Sequence, residues 1–435
     1  MIDAFERLVT PIPGPRSRAL AKSLAASEVR GVTYLAPNYP VFWESGDGAT
    51  ITDVDGNRYL DLTGAFGVAL TGHGNPAVAR AIAEQAARLA HGMGDVHPTA
   101  VKVHLLERLA SLAPAAGAKS FLCSTGAESI EFALKTAMLV TGEPNVLAFA
   151  GGYHGLSYAA LEVGGIPKFR KPWQRQLRGT TSFVRFPDPR EPKASERALE
   201  VVAKTLRKDR SIGAVLVEPI LGRAGIRVPP DGFLKGLRAI CTERDTLLIV
   251  DEIYTGFGRT GTMFACQREN VQPDVLCVGK ALGGGFPISA AIASREVADA
   301  WAPSDGEALH TSTYLGNPMG CAAALANLDE IERLDVPGLA RSRESQLAER
   351  LHELKRIDTQ IAEVRGRGLL WALELKNPAF ARACVVAALG RGLVLLQSGL
   401  RGEVLALAPP AMISDVQLER ALDLLAMVVR DPVLA

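Results

Sequence analysis

The chain has 435 residues, 48% hydrophobic and 22% charged, the composition of a globular protein long enough for more than one core. Its 48 Lys and Arg nearly cancel its 47 Asp and Glu, so there is no strong field to draw in nucleic acid or an anionic membrane surface. No apolar run of roughly eighteen residues lacks a charge or turn residue, which excludes an ordinary membrane span. The segment Met1 to Val9 carries Asp3 and Glu6 and has no basic stretch followed by an apolar one. It does not read as a signal peptide, and the protein is expected in the cytoplasm.

In chain order, residues 1 to about 40 are rich in Pro and Gly and read as an arm lying over another surface. Ala49 to Leu62, "ATITDVDGNRYLDL", alternates apolar and polar residues on either side of Asp55-Gly56, a hairpin signal. From about residue 75 to 325, helical patterns such as Asn75 to Leu89 and Ser129 to Val140 alternate with short apolar runs. Those runs are Phe121 to Cys123, Val146 to Ala150, Ala214 to Val217, Leu247 to Val250, Val275 to Val278 and Ala290 to Ala293. This alternation predicts an α/β fold with a mostly parallel central sheet covered by helices on both faces, and ligands of such sheets sit outside the carboxyl ends of the strands. After Ala322 the chain reads as a long helix, a strand near Gly368 to Leu375, a helix near Phe380 to Leu389, strands around Val394 and Val404, and a helix from Asp415 to Val429. The expected division is therefore an arm and β-element over 1–65, a large domain over 66–325, and a smaller α+β domain over 326–435.

The six cysteines, Cys123, Cys241, Cys266, Cys277, Cys321 and Cys384, are far apart, form no CxxC, and are expected to be reduced and mostly buried. His91, His97 and His104 lack a clustered acid or thiol, so no metal site is expected.

The chemistry gathers at the strand ends. Leu247 to Val250 runs into Asp251-Glu252, and Asp274 to Val278 runs into Gly279-Lys280, so a carboxylate and an amine reach one rim. Taken alone, such a pair is an ion pair at a sheet edge. A third feature changes that reading: Ser124-Thr125-Gly126-Ala127-Glu128 follows a strand and opens a helix, offering a hydroxyl, a glycine and helix-start N–H groups to a phosphate. Alone it is also an ordinary N-cap. Together the three define pyridoxal 5'-phosphate: a phosphate, a ring nitrogen kept protonated by Asp251, and an aldehyde caught by the Lys280 amine, which is the known pattern for that cofactor. Lys280 must then lose its proton, as a desolvated site next to another cation would allow.

Two other motifs compete. Gly256 to Gly261 fits GxGxxG, but Asp251, Glu252, Ile253 and Tyr254 stand between strand and glycines, no clear helix begins at Gly261, and Asp274 precedes a strand where a ribose-binding acid should follow one. Gly279-Lys280 fails as a P-loop because Ala281 replaces Ser or Thr and position 274 is Asp.

The chain resembles the class III aminotransferases of the fold-type I pyridoxal-phosphate family. The likeness rests on ordered motifs along almost the whole chain: "TDVDGNRYLDL", "GHGNPAVARAIAEQ", "CSTGAESIEFALKTA", "GGYHG", "VEPILGRAG", "DEIYTGFGRTG", "VGKALGGGFPISA" and "HTSTYLGNPMGCAAALA". The resemblance implies that Tyr153 stacks on one face of the pyridine ring and Ile253 presses on the other. It implies that Gly126 and Ala127 donate N–H groups to the phosphate, that Thr313 reaches the phosphate from the second subunit of a homodimer, and that Glu218 lies near cofactor and substrate. Thr125, His154 and Tyr254 complete the implied cofactor contacts.

Departures bear on the substrate. The branch acting on 4-aminobutyrate or ornithine has Arg where this chain has Leu156 and Ala406, and Gln where it has Tyr254 and Leu221. Phe66 aligns with a residue that overlies the substrate. The resemblance thus implies a transaminase working by ping-pong kinetics, taking the amino group from a primary amine or ω-amino donor with a substantial apolar part and giving it to a keto acid or aldehyde. A substrate carboxylate then needs another cation, with Arg401, between Gly399 and Gly402, as first choice and Arg223 as second. An aminomutase or racemase on the same fold would share every cofactor residue, and a binding module that kept the cofactor as a structural ligand would not need Lys280.

Overall fold

The computed structural model describes residues 5–432; residues 1–4, part of the N-terminal segment read above, lie outside them. The described residues form two compact units, Pro76–Arg341 and the flanking chain up to Asn75 and from Ser342. The sequence reading put these boundaries at 65/66 and 325/326. The structure draws them later because helix Pro318–Arg333 packs on helices Pro76–Arg88 and Ala100–Leu112, while Leu62 and Leu70 accept hydrogen bonds from the Ala408 and Ala411 N–H groups.

The larger unit is built on a seven-stranded sheet in the order Lys119–Cys123, Ser289–Ala293, Val275–Val278, Leu247–Asp251, Ile212–Val217, Asn145–Ala150, Thr181–Arg185. Ser289–Ala293 is antiparallel to both neighbours, and the strands from Val275–Val278 to Thr181–Arg185 are parallel. Ile212–Val217 and Val275–Val278 are buried at every position, which is why they read as unbroken apolar runs. Helix Gly126–Thr141 covers one face, with Ile130, Phe132 and Ala133 in one buried cluster with Leu216, Ile249 and Cys277. Each such aliphatic side chain taken from water contributes about 1.5–3 kcal/mol.

In the other unit, the predicted hairpin forms with Ile51 opposite Tyr59 and Gly56 at φ 86° in its turn. Its sheet has the order Trp43–Asp47, Thr50–Asp53, Arg58–Asp61, Leu393–Val394, and a second sheet has the order Ile361–Arg367, Leu370–Leu375, Val404–Leu407, Leu396–Ser398. The arm differs from the expectation: it contains helix Pro15–Ser27, whose first N–H groups, of Arg16 and Ser17, are taken by the Asp55 carboxylate at 2.7 and 2.9 Å. That long-range cap leaves no local signal. The single long helix expected after Ala322 is two, Pro318–Arg333 and Val336–Ile357, broken at Asp335 with φ 45°. All six cysteines are unpaired and buried, and no helix among the described residues is long and apolar enough to cross a membrane.

Candidate functional site

In the larger unit, strand and helix ends set several of the predicted side chains. Strand Leu247–Asp251 delivers Asp251, which is buried. Its Oδ2 lies 2.7 Å from Nδ1 of buried His154, and its Oδ1 accepts the Ile253 N–H at 3.0 Å. Burial alone presses the His154 pKa down, but the hydrogen bond and charge of Asp251, with the charge of Glu218, outweigh it and raise the pKa above the ordinary value. The pair is a short, buried hydrogen bond in which Asp251 favours the protonated form of the His154 ring.

Strand Ile212–Val217 ends at Glu218, whose buried carboxylate accepts the Tyr153 N–H at 2.8 Å and the Gly222 N–H at 3.0 Å. Burial pushes its pKa up to about 7; the charge of His154 opposes this and that of Asp251 adds to it. Strand Val275–Val278 leads to Lys280, partly buried, at φ 42°, with Nζ 4.8 Å from the centre of the Tyr254 ring. A lysine in the left-handed region is backbone strain of the kind found at functional sites. Burial lowers the Lys280 pKa against the opposing pull of Asp251 and Glu218. Of the two causes expected, a desolvated site and a neighbouring cation, desolvation is the one that lowers it.

Helix Gly126–Thr141 opens with a capping box: the Thr125 hydroxyl accepts the Glu128 N–H at 3.3 Å, and the Glu128 carboxylate accepts the Thr125 N–H at 3.4 Å and the Ser124 N–H at 2.8 Å. The N–H groups of Gly126 and Ala127 take no part in this cap and stand at the positive end of the helix dipole. A Cβ at Gly126 would come 2.8 Å from Cδ1 of Ile253, and one at Gly279 would come 3.5 Å from its Cγ2. Ile253 thus fills the crease between the helix start and the lysine strand, and a larger residue at 126 would have to displace its side chain. Tyr153 meets Phe169 edge-on, with centroids 5.6 Å apart.

A helix start able to hold phosphate, a buried carboxylate with a histidine hydrogen-bonded behind it, and a desolvated amine fit the phosphate, ring nitrogen and aldehyde of pyridoxal phosphate. The segment Gly256 to Gly261 is turn with no helix opening at Gly261. What holds it is buried Glu252, which accepts the Thr255 hydroxyl, the Ala265 N–H and the Cys266 N–H at 2.7 to 2.8 Å. The sequence paired Asp251 with the cofactor but assigned no partner to His154, 97 residues away; only the aromatic-His-Gly pattern after a strand hinted at it.

The remaining predicted residues are placed as follows. Thr313 is exposed in the loop before helix Pro318–Arg333. Arg223 is exposed in the loop closed by the Leu221 and Arg227 bridge, and its charge reaches Tyr153. In the smaller unit, Phe66 is exposed on a left-handed turn. Arg401 lies on a tight turn: its N–H donates to buried Glu403 at 2.8 Å, the Nε of its exposed side chain lies 4.0 Å from the same carboxylate, and Gly402 is tied to Gly399 and Gln397. Ala406 is buried in strand Val404–Leu407, paired with Ala372 and Leu396.

The aminotransferase class-III family profile matches residues 34–429. The acetylornithine aminotransferase of Methanopyrus kandleri is 38% identical over 388 residues, covering 89% of this chain and 94% of that protein. The 4-aminobutyrate aminotransferase of Mycobacterium leprae is 34% identical over 456 residues, with 99% of each covered. Among solved structures, an (S)-enantioselective ω-transaminase from Thermomicrobium roseum superposes with a TM-score of 0.88 at 29% identity, covering 96% of this chain and 98% of that one.

Proposed function

We propose residue roles from one premise: the chain belongs to the class III aminotransferases and is a pyridoxal-phosphate-dependent transaminase. The observation that carries the assignment is the buried cluster of Asp251, His154 and Glu218 beside the desolvated amine of Lys280. When bound, the cofactor carries the amino group between donor and acceptor and takes up the electron pair left at the substrate carbon. Lys280 holds it through Nζ and afterwards moves a proton at the substrate carbon, a task that needs a neutral amine near neutral pH. Asp251, held by His154, keeps the ring nitrogen protonated. Tyr153 and Ile253 clamp the ring, Tyr254 stays beside Lys280, and Thr125, Gly126 and Ala127 hold the phosphate.

The donor is a primary or ω-amino compound with a substantial apolar part, which Phe66 contacts, and the acceptor is a keto acid or aldehyde. Leu156 is exposed and Ala406 is buried in a strand, so neither supplies a carboxylate clamp. Arg223, whose charge already acts on Tyr153, is the better partner for an acceptor carboxylate than Arg401, which Glu403 engages. Arg223→Ala is expected to raise KM for keto acids about tenfold or more, the loss of a charge-assisted bond of about 1.5–3 kcal/mol, and to leave simple amines unaffected. Arg401→Ala should change neither, and the reverse pattern would return the role to Arg401. A panel of amines against several keto acids tests the whole reading, since turnover without any acceptor would mark an aminomutase or racemase instead.

Thr313 serves the phosphate of a second subunit, so the working unit is a homodimer. Mixing Lys280→Ala subunits with Thr313→Ala subunits should then restore activity that neither has alone, because the hybrid holds one intact site. No recovery after verified subunit exchange would place Thr313 elsewhere.

A further inference from the structure

Gly64, Ala65, Phe66 and Gly67 follow one another at φ 52°, 49°, 61° and 82°. Glycine adopts this left-handed region freely, but Ala65 and Phe66 carry a Cβ that makes it costly, so surrounding bonds must impose it. Those bonds converge on Asp61, which is fully buried. Its Oδ1 accepts both the Thr63 N–H at 2.7 Å and the Thr63 hydroxyl at 2.6 Å, and its Oδ2 lies 2.7 Å from Nε2 of His73. The Thr63 oxygen in turn accepts the Ala65 N–H at 3.2 Å, and the Thr63 carbonyl accepts the Gly67 N–H at 3.0 Å. His73 is fixed by paired backbone bonds with Gly48 and by the edge of Trp43, 5.9 Å away.

The effect of this brace is to hold an aromatic ring in water: Phe66 is 64% exposed. Beside it lies an apolar cavity of about 250 Å³ whose wall includes Tyr39, Val41, Trp43, Leu395 and Phe66 itself. The left-handed turn thus sets the Phe66 ring at the wall of that cavity.

We propose that Asp61 is a positioning residue: gripping Thr63 and His73, it locks the left-handed turn and so sets where Phe66 meets the apolar part of the amine donor. The proposal rests on the reading of Phe66 as a donor contact. The test compares KM for an arylalkyl primary amine with KM for a three-carbon aliphatic one in the holoenzyme, together with amide hydrogen exchange over residues 62–70. Phe66→Ala should change the ratio of the two KM values. Asp61→Asn and Thr63→Val should each change it about five- to tenfold, in line with loss of one or two buried hydrogen bonds, and speed exchange in the turn. Thr63→Ser, which keeps the hydroxyl, should match the wild type in both. In the Phe66→Ala background Asp61→Asn should add nothing to the ratio, because the two act through one ring. An unchanged ratio in Phe66→Ala overturns the donor contact and the selectivity role with it. Unchanged exchange in folded Thr63→Val and Asp61→Asn proteins overturns the brace, whatever Phe66 touches.

Discussion

Lys280→Ala protein should lose transaminase turnover by at least about 10³-fold, because proton transfer by a positioned group contributes about 10²–10⁴ and this substitution also removes the covalent hold on the cofactor. The fold should survive, since Lys280 follows a strand whose core residues are untouched, and alanine keeps the same Cβ, so the φ of 42° costs no more than before. Pyridoxal phosphate should still bind, but weakly enough to be lost on desalting, through the Gly126 and Ala127 N–H groups and Asp251. Two measurements check this: steady-state turnover, and cofactor absorbance before and after gel filtration. Full activity in the variant would end the assignment of Lys280. Loss of activity with tight retention would mean that the noncovalent contacts, not the lysine, dominate binding.

The parts of this site legible in the sequence are those fixed by local pattern. Strands buried on both faces are apolar runs, so Leu247–Asp251 and Val275–Val278 and the residues at their ends could be placed within a residue or two. Thr181–Arg185 was missed because it is an edge strand with partly exposed side chains and no apolar run. The antiparallel course of Ser289–Ala293 was missed because direction is set by the connection and not by composition. Long-range polar pairs leave no periodic signal either: His154 with Asp251, Asp55 on helix Pro15–Ser27, and Asp61 with His73 are chosen by the fold. The same holds for the contact of Arg401 with Glu403. Flanking glycines suggested a mobile loop at Arg401, but at φ 91° and 81° Gly399 and Gly402 shape a tight turn on Glu403.

The second large effect is expected for Asp251→Asn, with kcat falling on the order of 10²–10³, the scale of a lost preorganised electrostatic partner. Cofactor affinity should fall far less, since the helix start, Tyr153, Ile253 and Lys280 are unchanged. An asparagine oxygen can still accept the Ile253 N–H, which now reaches Oδ1 at 3.0 Å, so the turn after the strand should persist. What the amide cannot do is hold a positive charge on the ring nitrogen or on His154. In the wild type, Asp251 raises the His154 pKa although burial opposes it. The folded protein therefore binds that proton more tightly than the unfolded chain, whose ordinary value is 6.5. The resulting stability is complete below that value and is lost as pH rises through the higher folded one. With Asp251 neutral only burial and the weaker pull of Glu218 remain, so the His154 pKa should drop below 6.5 and the sign should invert, the protein losing stability as pH falls. Ring nitrogen NMR of His154 separates this from the titration of Glu218, which lies nearby and is itself raised to about 7. Near-normal kcat together with a His154 shift would show that Asp251 serves the histidine alone. A large kcat loss with an unmoved His154 would leave the ring nitrogen as the sole beneficiary of its charge.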